Sequence, residues 1–556
     1  MPKQIAFVTY ETPYAPAGGV AAVMGRLPYF VKKASGLRTV VLTPYHHRIE
    51  KTSRLDTRKV GEVQAIVAGQ VVKLALHRFD TELPWYFLKP DDPDYFSGYP
   101  HPYLVGKDKK DSSDRLCRDA LLFGSAVNKA LALIAPQAEW IVMLQDWEAA
   151  TSVLAAEKDS RLKFYLTLHN SYDAPVTDEE LIRHGIDYRD YPGFTVLDRA
   201  LPYMGQTVFT VSDQFAIDLT EDVFQSEVMA GHLRKQLKPR LLGVNNGPFV
   251  DLHIARSILS AAAKGDYQAL QVWKQRKRQQ ALAALAELAP SRARPVWGDL
   301  QKFDRDAQAC WFVMAGRDDT RQKGYDVAAS AVQAFFREGG NARFFFFPIP
   351  GDEGLSGLSF LKRLAQKYPQ QILVFPFIWR EGFLATLQGA SFGLMPSLYE
   401  PFGMANEFYL NGTVGIGRAT GGIIQQIVPL QSPSCYSQAA QSRARRWHAS
   451  SSPPTGILFR ESDQLDSSVD DFRAINAVGY KATSSRDRVK ERSRYMLFQA
   501  MSNELRISLN DGVHLFVEEP EQYYKMLVNG IQFIQRSISW DRAAHEYVRS
   551  VGLTSH

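Results

Sequence analysis

Short apolar runs recur along this chain, each closed by turn residues and most followed by a stretch with helical spacing. Residues 4–9, 38–43, 140–144, 164–168 and 207–211 are rich in β-branched or aromatic side chains and predict strands. Runs 311–315, 343–348, 372–375 and 392–395 repeat the pattern in the second half. Residues 115–134 and 325–337 carry apolar positions at helical spacing. Continuous apolar strands separated by helices imply parallel sheets covered on both faces. Two such sets, with a break at 252–305, predict an α/β fold of two doubly wound domains with a boundary near residue 250. In such sheets ligands bind beyond the carboxyl ends of the strands.

The break is helical and charged at 273–289, and its basic residues Lys274, Arg276, Lys277 and Arg278 read as a solvated helix face. Residues 431–453 are rich in Ser, Ala, Gln and Arg and read as a mobile inserted loop or lid. No apolar run approaches the roughly 18–20 residues of a membrane helix. Met1-Pro2-Lys3 enters the first strand at once, and Cys117, Cys310 and Cys435 show neither metal-ligand nor disulfide spacing. Together these predict a cytoplasmic protein in a reducing setting. The net charge of +6 suits a phosphorylated ligand, but the basic stripe with interleaved aromatics of a nucleic-acid binder is missing.

Three clusters carry chemistry. Gly18 and Gly19 lie between the first strand and a helix, where backbone amides can approach a phosphate. Arg317 follows a strand and Lys323 precedes a helix, so one loop carries two cations that can stabilise charge on a leaving diphosphate. Glu400 lies on a strand-to-helix loop, with a helix opening near Met404 and Ala405.

In order along nearly the whole chain, these clusters resemble the glycogen and starch synthase family of retaining glycosyltransferases. Segment 86–103 looks like that family's aromatic acceptor-side loop, and LQDWEAA (144–150) is similar to its His-Asp-Trp-His segment. TLHNSYDAP (167–175), TVSDQFA (210–216), GVNNGPFVD (243–251) and SISWDRAAHEYV (537–548) match further segments. The resemblance implies the GT-B fold, in which two Rossmann-like domains face one another across a cleft holding the active site. It assigns 1–252 to an N-terminal acceptor-side domain, with a C-terminal helix at 535–556 crossing back onto it. It assigns 253–534 to a nucleotide-sugar domain.

The resemblance further implies that Arg317 and Lys323 bind the donor diphosphate and that Glu400 faces the transferred sugar. His169 would lie against the sugar near the reacting carbon, and Asp146 and Tyr103 would line the sugar and acceptor side. Gly18, Gly19, Met404 and Ala405 would offer amides to phosphate, and Trp379 or Phe377 would replace the aromatic that stacks on the base, whose own place is Ile378. The donor would be UDP- or ADP-glucose and the acceptor an α-glucan, with neither metal nor cofactor required, because Arg and Lys take the cation's role.

The chain departs from the bacterial and plant members at Pro16, where they carry a Lys; proline offers neither charge nor N–H. The spacing from Arg317 to Lys323 looks more like that of the animal and fungal UDP-glucose users. Phe408 stands where related transferases carry a second Glu, with Glu407 one residue earlier. Two alternatives remain at this stage: a transferase of the same fold acting on another acceptor, and a non-catalytic glucan-binding relative. An NAD oxidoreductase is disfavoured because the first Gly-rich turn lacks G-x-G-x-x-G.

Overall fold

A computed structural model describes residues 1–105, 109–156, 159–186, 193–351, 353–431, 437–462, 468–481 and 484–553. Cys435 lies outside the described residues. The chain divides into two compact units, Met1–Phe249 with Ser539–His556, and Val250–Ile538.

The first unit is built on a nine-stranded sheet among the described residues. Its strands are β1 (Lys3–Thr9), β2 (Thr39–Pro44), β3 (Arg58–Val67), β4 (Gln70–Asp80), β5 (Pro84–Pro90), β6 (Glu139–Gln145), β7 (Leu162–Leu168), β8 (Val208–Thr210) and β9 (Leu241–Gly243). They lie in the order β3-β4-β5-β2-β1-β6-β7-β8-β9. Strands β5 to β9 of this order pair in parallel, whereas β3 and β4 form an antiparallel hairpin that adds to β5. The central strands β1, β2 and β6 are buried along almost their whole length, as a sheet covered on both faces requires.

The last helix, Trp540–Ser550, belongs to this first unit. Its apolar face buries Trp540, Ala543, Ala544, Tyr547 and Val548 in one cluster with Phe7, Val41 and Phe209. Ser539 caps its first turn, and Trp540 Nε1 donates to Pro248 O at 2.8 Å. The preceding helix, Pro520–Ser537, stays with the second unit, so the chain passes between units at Ile538–Ser539.

The second unit has six strands among the described residues: β10 (Trp311–Arg317), β11 (Arg343–Ile349), β12 (Ile372–Val374), β13 (Phe392–Met395), β14 (Val414–Arg418) and β15 (Ile457–Phe459). All pair in parallel in the order β12-β11-β10-β13-β14-β15. Counting from β10, that is the 3-2-1-4-5-6 order of a doubly wound dinucleotide-type sheet, whose order reverses between β10 and β13. In the first unit the order reverses between β1 and β6.

Three expectations from sequence change here. Segment 86–103 is not all loop, because residues through Pro90 complete β5. Within the described part of 431–453, residues 438–444 form a helix rather than irregular chain. Ser437 caps a helix at Gln438–Ala444 that buries Ala440, Gln441 and Ala444, and His448 Nε2 lies 2.8 Å from Ile424 O. Its small residues allow close packing, which a count of polar residues does not reveal.

The third change concerns the helix Gln268–Glu287, whose basic face is not fully solvated. Lys274 is buried and its ammonium reaches the carbonyls of Gln388, Ala390 and Gly412. Arg278 is buried too, donating to the carbonyls of Ala307, Ala309 and Gly389 and to Ser391 Oγ. The carbonyls ending the helix Phe383–Gly389 need donors, and these two cations provide them.

Lys274→Ala leaves three buried carbonyls short of a donor and should destabilise the second unit by about 3 kcal/mol. The exposed Arg276→Ala should change stability by less than about 0.5 kcal/mol. Urea midpoints followed by fluorescence check both.

Candidate functional site

The switch point of the second unit brings together the cations and the carboxylate picked out in the sequence. Arg317 is the last residue of β10, and Lys323 ends the loop that follows it. Glu400 lies on the loop after β13, the neighbouring strand. Lys323 Nζ donates to Glu400 Oε2 at 2.7 Å. Ser397 Oγ donates to the same oxygen at 2.9 Å, and Gln322 Nε2 to Oε1 at 3.2 Å. Arg317 stands 3.7 Å from the Asp319 carboxylate, with about a third of its side chain open to solvent.

The two loops are fastened backbone to backbone. Leu398 N donates to Gln322 O at 2.8 Å. Gly324 has φ +68°, and a Cβ there would fall 2.2 Å from Pro396 O. Gly421 has φ +47°, and its Cβ would fall 1.6 Å from Glu400 O. Only glycine permits both the positive φ and the approach.

Buried charge stiffens the arrangement from behind. Arg418, at the end of β14, donates through Nη1 to Leu398 O at 2.6 Å and forms a two-pronged pair with Glu461. Arg460 Nε lies 3.1 Å from the same carboxylate. Although burial opposes it, the two guanidiniums hold the Glu461 carboxyl down at about 2. Arg492 pairs with Asp326 at 2.8 Å and donates to Thr320 O, which braces the Arg317–Lys323 loop.

Met404 is the N-cap of the helix Ala405–Leu410, so both expected amides lie at a helix start; the next amide, of Asn406, is taken by Gln426 Oε1 at 2.9 Å. Trp379 corrects the sequence reading. It is 1% exposed, stacked on Phe375 at 4.7 Å with its edge over Gly382, and is packed as core rather than presented to a base. Ile378 beside it is 67% exposed, and half-buried Phe377 lies under the Arg294 guanidinium at 5.1 Å.

The switch point of the first unit gathers the other candidates. Glu11, two residues past β1, was not singled out in the sequence, yet it organises this site. Its Oε1 accepts the amides of Ala17 at 2.9 Å, Gly18 at 2.5 Å and Ala21 at 3.2 Å. Tyr103 Oη donates to its Oε2 at 3.2 Å, and the Tyr103 ring stacks on Tyr10. The Gly18 amide expected to meet phosphate is therefore held by the chain's own carboxylate. Gly19, which opens the helix Gly19–Met24, keeps open space on its Cβ side. The signal for Glu11 was a carboxylate at the end of the first strand, just where ligands meet such a sheet.

Asp146 follows β6 directly, with φ +59°, a conformation that Asp and Asn tolerate better than other residues. Its Oδ1 accepts the His169 amide at 2.7 Å. Burial pushes its carboxyl up to about 7, and nearby Glu11 adds to the rise. Burial pulls the His169 imidazole down to about 3, so the ring is neutral at physiological pH. Glu148, two residues along and also buried, is pushed well above the usual carboxylate range by burial and by Asp146. This is a poor place for a second anion and a good one for neutral hydroxyls.

Fold and sites together define a protein of the GT-B class. Residues 4–235 match the starch synthase catalytic domain family. The glycogen synthase of Pasteurella multocida is 27% identical over 428 residues, covering 75% of this chain and 82% of that protein. The glycogen synthase of Thermotoga maritima is 22% identical over 580 residues, covering 98% and 97%. Among solved structures, the catalytic domain of starch synthase IV from Arabidopsis thaliana, bound to ADP and acarbose, superposes with a TM-score of 0.60 at 16% identity. It covers 95% of this chain and 100% of that one. Sucrose-phosphate synthase from Thermosynechococcus elongatus gives 0.50 at 13% identity, covering 99% and 98%. The chain is a distant relative of the glycogen and starch synthases.

Glu461 yields a pH prediction. Its folded pKa of about 2 lies below the ordinary 4.5, so it contributes stability that is complete above pH 4.5 and lost as pH falls toward 2. Glu461→Gln should lower stability at pH 7 by about 3 kcal/mol, because Arg418 is left buried without its partner. The variant should also lose part of the wild-type decline between about pH 4.5 and 2, measurable as urea midpoints across that range.

Proposed function

We propose that this protein is a retaining glycosyltransferase that moves a glucosyl unit from UDP- or ADP-glucose to the non-reducing end of an α-glucan. The observation that carries the reading is the pairing at the second unit's switch point. Lys323 and Arg317 share one loop, and Lys323 stands 2.7 Å from the buried carboxylate of Glu400. The relatives named as glycogen and starch synthases support it.

In this reading the donor's diphosphate takes Lys323 and Arg317 as counter-charges, replacing the carboxylate that Lys323 holds in the free protein. Glu400 then turns its oxygens to the hydroxyls of the sugar. The bond from the anomeric carbon to the diphosphate breaks, and the cations stabilise the charge on the departing oxygen. A new bond forms from the same carbon to an acceptor hydroxyl on the same face of the sugar. The hydroxyl proton passes to the leaving phosphate, so no protein nucleophile is needed. His169 contacts the sugar near the reacting carbon, while Asp146 and Tyr103 meet the acceptor side. Neutral His169, with the Asp146 and Glu148 carboxyls raised by burial, suits hydroxyl partners.

The test is nucleotide release from UDP- and ADP-glucose, each with and without glycogen or maltooligosaccharide. Release that depends on the glucan is the expected result. Release indifferent to glucan overturns the acceptor, and no release from either donor overturns the reading. Arg317→Ala and Lys323→Ala should each lower kcat on the order of 100-fold or more, because each removes a charge from the leaving group. Near wild-type turnover in either variant contradicts its assigned role.

A further inference from the structure

Gln145 ends β6, is 1% exposed, and lies in register between Thr9 of β1 and Thr167 of β7. Its amide makes two contacts of fixed sense. Nε2 donates to Met143 O at 3.1 Å, and a carbonyl can only accept. The amide nitrogen is thereby committed to Met143, so Oε1 is the atom that faces His169 Nε2 at 2.8 Å. An amide oxygen is also only an acceptor, so His169 Nε2 must carry the proton.

The His169 main chain is held as well, its amide donating to Asp146 Oδ1 at 2.7 Å. With Nε2 protonated and the ring neutral, Nδ1 carries a lone pair. Among the described residues no group bonds Nδ1, and it is not among the polar atoms sealed from solvent.

We infer that Gln145 is a positioning residue that fixes His169 in its Nε2–H tautomer, so that Nδ1 accepts a hydrogen bond from a hydroxyl of the bound sugar. The assignment of that hydroxyl to a sugar rests on the transferase reading above. The lone pair at Nδ1 repels a phosphate oxygen, which has no proton to offer, so this position selects the sugar end of a donor over its diphosphate. It also excludes His169 as a proton donor to the leaving group.

The test is nitrogen NMR of the full-length protein labelled with 15N-histidine, His169 being assigned by the signals lost in His169→Gln. The wild type should show a non-protonated Nδ1 and a protonated Nε2 at neutral pH. Gln145→Met, similar in volume but without an acceptor, should lose this single-tautomer signature and at least tenfold in kcat/KM. Adding UDP-glucose or ADP-glucose should shift Nδ1, whereas UDP or ADP alone should not. A protonated Nδ1 in the wild type, or an unchanged tautomer in Gln145→Met, overturns the inference. If the tautomer is as stated but no nucleoside diphosphate glucose is turned over, the transferase reading fails and the positioning of His169 by Gln145 stands.

Discussion

The pairing of Lys323 with Glu400 is the contact around which the second unit is arranged. A carboxylate as buried as Glu400 needs hydrogen-bond donors, and Lys323, Ser397 and Gln322 are those donors. They arrive there because β10 and β13 are adjacent at the reversal of strand order. The glycines at 324 and 421 let the loops touch, and Arg418, held by Glu461, grips the Leu398 carbonyl from behind. The switch point of the second unit thus carries its own internal anion at Lys323, the contact that the proposed donor binding would exchange.

The first unit repeats that logic with different chemistry. Glu11 occupies the amides after β1 much as Glu400 occupies Lys323. Around it, burial keeps His169 neutral and raises the carboxyls of Asp146 and Glu148. One unit therefore offers cations at its switch point and the other offers neutral hydrogen-bonding groups.

Much of this was legible in the sequence because it is local. Arg317, Lys323 and Glu400 lie on strand-to-helix loops, and the alternation of strands and helices placed those loops at sheet ends. The missed strands failed for identifiable reasons. β3 and β4 form a hairpin with polar residues alternating toward solvent, and β14 contains two glycines. Gln145 escaped notice because its role depends on a partner distant in the chain, His169, whereas Glu11 carried a local signal at the end of β1 that was passed over. Trp379 misled because an aromatic near the right place can serve the core instead, and Lys274 because a lysine in a charged helix gives no sign of three carbonyls folded over it.

The central claim is that Lys323 exchanges Glu400 for the diphosphate of the donor, and calorimetric binding of UDP and ADP to wild type and Lys323→Ala tests it most directly. Loss of a charge-assisted contact predicts that the nucleotide bound by the wild type binds the variant at least tenfold more weakly. Equal affinity of both proteins for that nucleotide would contradict the account.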